Sequence, residues 1–235
     1  MSASRPARAW TAQLFDRTRQ HAFIKAFGTT AFITTFFVAY FWILENPFAE
    51  VTVLPLTAID RAIGFSSLWL PAYLSLWVYV SIPPALIADR KALDAYGVWV
   101  GLLCVSGLAL FVLWPTTIPP DLIDWSAYPE MGLLKGIDAA GNACPSMHVA
   151  TALFSGLWMH RLLREVSAPA WLRLFNGLWC GSIIYATMAV KQHVFIDVVG
   201  GVALGLAFAW PVLRGHRKRM QALAQEAVGH QPRQA

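Results

Sequence analysis

Six segments of the 235-residue chain are almost entirely apolar, and each is close to the roughly 20 residues that a helix needs to cross a bilayer. Only short polar stretches separate most of them. This pattern predicts an all-α, polytopic membrane protein in which six transmembrane helices form one bundle. The six predicted spans are Phe23–Leu44, Ser66–Ala88, Gly97–Trp114, Met147–Leu163, Ala170–Val190 and Val194–Leu213.

The segments that flank these spans divide the chain into three predicted parts. Residues 1–22 form a cytoplasmic basic arm that mixes aromatic residues with arginines, as in a helix that lies on a membrane surface. Residues 23–213 form the membrane domain, and residues 214–235 form a basic cytoplasmic tail. The first span is longer than the apolar core of a signal peptide, about 7–15 residues, so we expect it to be retained.

Composition agrees with a membrane protein and excludes an ordinary soluble domain. Hydrophobic residues make up 57% of the chain and charged residues only 13%, whereas a soluble domain carries about 25% charged residues. The three cysteines show no spacing typical of a disulfide framework or a zinc motif.

The distribution of positive charge predicts the orientation of the spans. The chain has 18 lysines and arginines, and with six spans all but three of them fall on one side of the membrane. The three exceptions are Arg61, Lys135 and Lys191. The positive-inside rule then places both termini in the cytoplasm. It also explains the net charge of +5 without a nucleic-acid partner. Short loops and this bias suit a bacterial inner membrane.

The first polar cluster, "CPSMH", stands at the predicted outer end of the fourth span. Pro145 suits the first position of a helix, where its missing N–H is not needed. The N–H groups of Ser146 and the two following residues would then be unsatisfied by the helix and would favour an anion such as phosphate. His148 adds a group that can exchange a proton near neutral pH. A polar cap without catalytic function is the alternative.

The second polar cluster, "KQHVFID", precedes the sixth span and lies on the same side of the membrane as the first. His193 and Asp197 are four residues apart, which places them on one face of a helix. A carboxylate bonded to one ring nitrogen fixes the tautomer and leaves the other nitrogen able to attack. Two alternatives stay open: Asp197 could complement the helix dipole, or the two histidines and Asp197 could bind zinc.

At these residues the sequence resembles the type 2 phosphatidic acid phosphatase superfamily, whose members are six-helix membrane enzymes that act on lipid phosphates without a metal or other cofactor. The family motif P-S-G-H corresponds to Pro145-Ser146-Met147-His148, and H-x3-D corresponds to His193 and Asp197. The segments "CPSMHVATALF" and "TMAVKQHVFIDVVGG" are similar to the corresponding segments of one branch of the superfamily, the inositolphosphotransferases and sphingolipid phosphotransferases.

The resemblance implies a role for each matched residue. His193 would be the nucleophile that forms a phosphohistidine, Asp197 would orient it, and His148 would protonate the leaving lipid oxygen. Ser146 would contact phosphate oxygens. The reaction would take place at the outer, periplasmic face, with water or an alcohol as acceptor. Hydrolysis is favoured over transfer of an inositol-phosphate or phosphocholine type headgroup, because no acceptor pocket is identifiable in the sequence.

Two arginines of the family pattern are missing. Thr187 stands where the third motif has arginine, and Pro119 stands where the first motif would place another. Phosphoryl transfer depends on positioning and on stabilisation of charge, so other cations should replace them. Lys191 is the first candidate for phosphate binding and Lys135 the second. The missing arginines also keep open a lipid-binding or transport protein of the same fold with weak catalysis.

Overall fold

The structure is a computed structural model, and it describes residues 9–120, 122–123, 128 and 142–229. It is mostly helical, as the apolar pattern predicts. In chain order its helices are α1 (Trp10–Arg19), α2 (Ala22–Glu45), α3 (Ala58–Ala62), a 3-10 helix (Ser67–Trp69), α4 (Leu70–Leu74), α5 (Leu76–Leu86), α6 (Arg90–Leu113), α7 (Met147–Glu165), α8 (Ala170–Ala189) and α9 (Phe195–Gly229).

Among the described residues, three helices are long and apolar enough to cross a membrane. They are α2, α6 and the part of α9 over Phe195–Leu223. The predicted second span is divided between the 3-10 helix, α4 and α5, with Pro71 near the start of α4 and Pro83 and Pro84 inside α5. The predicted fourth and fifth spans correspond to α7 and α8. The chain is therefore a membrane protein, and its six-span topology stays a prediction.

Local sequence explains where two helices depart from the predicted spans. Helix α6 begins at Arg90 rather than Gly97 because the Asp89 carboxylate accepts the N–H of Ala92 at 2.8 Å, the usual N-cap interaction. Helix α9 continues past Leu213 to Gly229, since the following segment is rich in alanine, glutamine, lysine and arginine, which favour helix. The predicted basic tail starts at residue 214, so its first part, up to Gly229, is the C-terminal end of α9.

Helix α7 lies at the centre of the bundle and packs against α5, α8 and α9. Phe154 and Trp158 are completely buried along it. Two glycines of α9 permit the close contact with α7: a Cβ at Gly201 would lie 2.5 Å from the carbonyl oxygen of Ser146, and one at Gly205 would lie 2.8 Å from that of Ala150. The N-terminal halves of both helices are thereby held side by side.

One end of the bundle gathers the basic segments of the chain. Arg17 of α1 contacts Glu165 at the end of α7 at 3.3 Å. Arg219 of α9 pairs with Asp89, and the Lys25 ammonium donates to the carbonyl oxygen of Ala85 at 2.8 Å. The arm, the loop between α5 and α6 and the C-terminal helix therefore meet at the end of α7 that is opposite to Met147.

At the end of the bundle where α7 begins, two short extended segments from different loops pair with each other. Thr52–Val53 and Thr116–Thr117 form a two-residue parallel pair, a small addition to the all-α fold. Thr116 is buried, and its hydroxyl accepts the N–H of Cys144 at 2.8 Å. This contact fixes the strand end against the segment that leads into α7.

Candidate active site

Helix α7 begins with a serine cap. It starts at Met147 with Ser146 as N-cap, and the Ser146 hydroxyl accepts the N–H of Val149 at 3.3 Å. The Ser146 N–H donates to the carbonyl oxygen of Asp197 at 2.9 Å. The expectations that Pro145 opens the helix and that the Ser146 N–H is unsatisfied are therefore wrong, because serine is the stronger N-cap residue and α9 supplies an acceptor.

His193 and Asp197 form the contact that their spacing predicts. Nδ1 of His193 lies 3.2 Å from Oδ2 of Asp197, which also accepts the N–H of Val194 at 3.2 Å. Asp197 is completely buried and His193 nearly so. Oδ1 of Asp197 is buried and accepts no hydrogen bond from the residues that the structure describes. A buried carboxylate beside Nδ1 favours the tautomer in which Nδ1 carries the proton.

His148 faces this pair from α7. Its ring centroid lies 5.6 Å from that of His193, with the two ring planes tilted by 59°. The ring of Tyr73 stacks on His148 at 4.5 Å, and Trp77 makes an edge contact at 6.1 Å. The two sequence clusters therefore meet at one site, and aromatic side chains of α4 and α5 hold His148 in place.

Asp60 is a site residue that sequence analysis did not single out. Its Oδ1 accepts the N–H of Phe195, the first residue of α9, at 2.7 Å. Its Oδ2 accepts the N–H and the hydroxyl of Thr57 at 2.8 and 2.6 Å. One buried carboxylate thus caps both α3 and α9 next to His193. The Thr57-x-x-Asp60 spacing is a capping-box signal for a helix start, but it does not reveal the contact with α9.

Lys191 lies close to His193 in sequence, but its ammonium is bound to the backbone of α3. Nζ donates to the carbonyl oxygen of Asp60 at 3.0 Å and to that of Ile63. Burial lowers the pKa of Lys191, and the negative charge of Asp60 opposes this shift. Lys191 itself has a φ of 56°, a left-handed conformation within the turn before His193.

Neither residue at the positions of the missing family arginines carries a positive charge. Thr187 is completely buried, and its hydroxyl donates to the carbonyl oxygen of Ile184 at 2.8 Å. Its own carbonyl oxygen accepts the N–H groups of Gln192 and His193 at 3.0 and 3.1 Å. Pro119 follows the second extended segment. Lys135, the second predicted phosphate ligand, lies outside the described residues, and Arg61 is exposed on α3.

Zinc binding by His148, His193 and Asp197 is the alternative that the sequence leaves open. Within the described ranges, no three histidine, cysteine, aspartate or glutamate side chains are grouped as a metal site requires. All three cysteines are free thiols.

The fold and the site define a helical membrane protein with two histidines and one aspartate at one end of the bundle. The family model of the PAP2 superfamily matches residues 95–221, and the chain belongs to this superfamily. Membership indicates phosphatase or phosphotransferase activity. The match contains His148, His193 and Asp197, whereas α2 and Asp60 precede it. No curated protein and no solved structure matches the chain.

Proposed function

We propose that the protein is a membrane lipid phosphatase that acts through a phosphohistidine on His193. The observation that carries the proposal is the arrangement of three side chains: the Asp197 carboxylate lies at Nδ1 of His193, and the His148 ring lies 5.6 Å from the His193 ring. A nucleophile, its orienting carboxylate and a second proton-exchanging group are thus contributed by two adjacent helices.

In the first step, Nε2 of His193 attacks the phosphorus atom of a lipid phosphate. The P–O bond to the lipid breaks, and its electron pair stays on the leaving oxygen, which takes a proton from His148. Asp197 stabilises the positive charge that develops on the His193 ring. In the second step, His148 removes a proton from water, the water oxygen bonds to phosphorus, and the P–N bond breaks to return its electron pair to Nε2.

Three polar residues are proposed to hold the phosphate. Ser146 would donate its hydroxyl hydrogen, since its oxygen already accepts the N–H of Val149. Lys191 would contribute its positive charge, and its ammonium would have to exchange the carbonyl oxygens of Asp60 and Ile63 for phosphate oxygens. Lys135, which precedes α7 in the sequence, would be the third.

The site is proposed to face the outside of the cell, on the periplasmic side of a bacterial inner membrane. The supporting observation is the separation of the basic end of the bundle from the histidines by the length of α7, about 28 Å at 1.5 Å per residue. Basic residues favour the cytoplasmic side. Six membrane spans and a membrane domain over residues 23–213 complete this topology.

A substrate panel tests the proposal. The purified protein would be assayed with several lipid phosphates and lipid phosphodiesters, with and without alcohol acceptors, for released phosphate and for new lipid product. We expect phosphate release that His193→Ala abolishes and that a chelator leaves unchanged. New lipid product only with an alcohol would identify a headgroup transferase of the inositolphosphotransferase type. Equal rates for wild type and His193→Ala would contradict catalysis and favour a lipid-binding protein, and loss of activity with the chelator would favour zinc.

A further inference from the structure

A cavity of about 480 Å³ lies between α2, α5 and α6. Its wall is apolar along most of its surface, and this volume is within the range of sites for small ligands, roughly 300–1,000 Å³. Representative lining residues from the three helices are Phe32, Phe36, Trp77, Val80, Val100 and Cys104. A polar molecule would find few hydrogen-bond partners there, so the wall suits a hydrocarbon ligand.

The cavity reaches the candidate active site at His148. Met147, His148 and Tyr73 belong to its lining, and His148 is the residue whose ring faces His193 at 5.6 Å. A ligand that fills the cavity therefore ends beside the proposed acid. The PAP2 match begins at residue 95, so the wall formed by α2 lies outside it.

The cavity is long as well as apolar. Its lining on α2 extends from Ile24 and Lys25 to Tyr40, which corresponds to about 22–24 Å along the helix axis at 1.5 Å per residue. The Lys25 ammonium at the far end donates to the carbonyl oxygens of Arg17 and Ala85 at 2.7 and 2.8 Å. The apolar path thus extends from His148 through most of the bundle toward its basic end.

Two glycines leave room where α2 and α6 line the cavity. Gly28 and Gly97 both belong to the lining, and a Cβ added at either would meet no atom within 4 Å. Larger side chains can therefore be introduced there without a clash of the Cβ atom. Gly177 and Gly181 on α8 offer the same free space and are equally exposed, but they do not belong to the cavity lining, so they provide a matched control.

We propose that this cavity binds the single hydrocarbon chain, alkyl or isoprenoid, of the lipid phosphate whose phosphoryl group reacts at His193. The inference rests on the proposed function for the identity of the headgroup. Because the chain would be held along α2 and α6, the enzyme would favour long chains over short ones.

Photocrosslinking tests tail binding without requiring turnover. The probe is a long single-chain alkyl phosphate with a diazirine at the end of its chain, added to His193→Ala protein in phosphatidylcholine nanodiscs. We expect crosslinks to the cavity-lining residues of α2 and α6. The double variant Gly28→Phe/Gly97→Phe should lose most of this labelling, and Gly177→Phe/Gly181→Phe should keep it. Labelling confined to lipid-facing residues outside the cavity, or equal labelling in both double variants, would overturn the proposal.

Chain-length kinetics provide the second readout. With His193 intact, the cavity double variant should lower kcat/KM for a long-chain alkyl phosphate at least tenfold and leave that for a short-chain alkyl phosphate within twofold. The α8 double variant should match wild type on both. Unchanged long-chain kcat/KM in the cavity variant would overturn the proposal. If crosslinking succeeds while wild-type protein cleaves neither substrate, the cavity assignment holds and the catalytic proposal fails.

Discussion

The rings of His148 and His193 face each other at 5.6 Å across the contact between α7 and α9. A phosphoryl group bound at this pair would contact both the proposed nucleophile and the proposed proton donor. The two histidines are far apart in the sequence, so the sequence alone does not reveal this contact. The close approach of Gly201 and Gly205 in α9 to Ser146 and Ala150 in α7 brings the starts of the two helices together.

His148→Ala should lower kcat/KM for an alkyl phosphate, which reports the formation of the phosphohistidine, by about 100- to 10,000-fold, the usual contribution of general acid catalysis. The defect should be much smaller for an aryl phosphate, because a phenolate leaves without needing a proton. Rates on the two substrates check this prediction. His160→Ala, at the opposite end of α7, is the control and should leave both rates unchanged. An equal loss on both substrates would contradict the role of His148 as acid.

Asp60→Ala should lower kcat by about 10- to 100-fold, because a small misplacement of a reacting group is costly and Phe195 would lose its carboxylate acceptor. Thr57→Ala disrupts the same cap of α3 but leaves that contact intact. It should lower stability by about 1 kcal/mol with kcat unchanged. Asp60→Asn, which keeps one side-chain oxygen, should recover part of the activity.

The comparison of these variants by kcat and thermal unfolding separates positioning from simple loss of stability. Equal kcat values for Asp60→Ala and Thr57→Ala would show that Asp60 acts only as a cap of α3.

Lys191→Ala should lower kcat/KM about tenfold, which corresponds to roughly 1.4 kcal/mol of lost phosphate stabilisation. Lys191→Arg should restore most of it, because the positive charge remains. Steady-state kinetics on one lipid phosphate is the measurement. If kcat/KM stays at the wild-type value while the unfolding temperature falls, Lys191 supports α3 through the carbonyl oxygens of Asp60 and Ile63 and does not bind phosphate.

Glu165 should make the stability of the basic end depend on pH. Burial raises the pKa of Glu165, but the hydrogen bond from His216 at 2.6 Å and the charges of His216, Arg17 and Arg161 outweigh it, so the pKa lies below its ordinary value of 4.5. A carboxylate with a lowered pKa stabilises the folded protein above its unfolded-state pKa, and this contribution is lost as pH falls through the folded-state pKa.

Glu165→Gln should therefore cost roughly 1–3 kcal/mol at pH 7, typical of lost hydrogen bonds to a charged group. The difference in unfolding free energy between wild type and Glu165→Gln should shrink as pH falls below 4.5, the ordinary pKa of the group. A difference that stays constant down to pH 3 would contradict the assignment of the stabilisation to the ionised carboxylate.

The parts of the site that sequence could predict are those fixed by local geometry. A spacing of four residues was sufficient for the contact between His193 and Asp197, because a helix places such residues on one face. Hydropathy likewise predicted the starts of α2, α7 and α8. These features depend on neighbouring residues and need no knowledge of the tertiary contacts.

Contacts between distant segments were beyond sequence reasoning. The bond between Asp60 and Phe195 joins residues 135 positions apart, so it depends on how α3 packs against α9. The position of Lys191 two residues before His193 favours it as a phosphate ligand, whereas its ammonium lies against α3. Local helix geometry predicts an unsatisfied N–H at Ser146, whereas α9 supplies the carbonyl oxygen of Asp197 as its acceptor. In each case a neighbouring element provided a partner that the local pattern does not contain.

The most direct test of the central claim is to trap the phosphoryl enzyme. Wild-type protein would be mixed with a lipid phosphate labelled in its phosphoryl group, quenched with alkali within one turnover, and digested for mass spectrometry. We predict acid-labile label on His193. With an aryl phosphate, whose leaving group needs no proton, the level should rise when His148→Ala slows the attack of water. Asp197→Asn should reduce its formation by about 100-fold or more, because the carboxylate no longer fixes the tautomer. Substrate turnover with no label on His193, or turnover that persists in His193→Ala, would contradict the phosphohistidine mechanism.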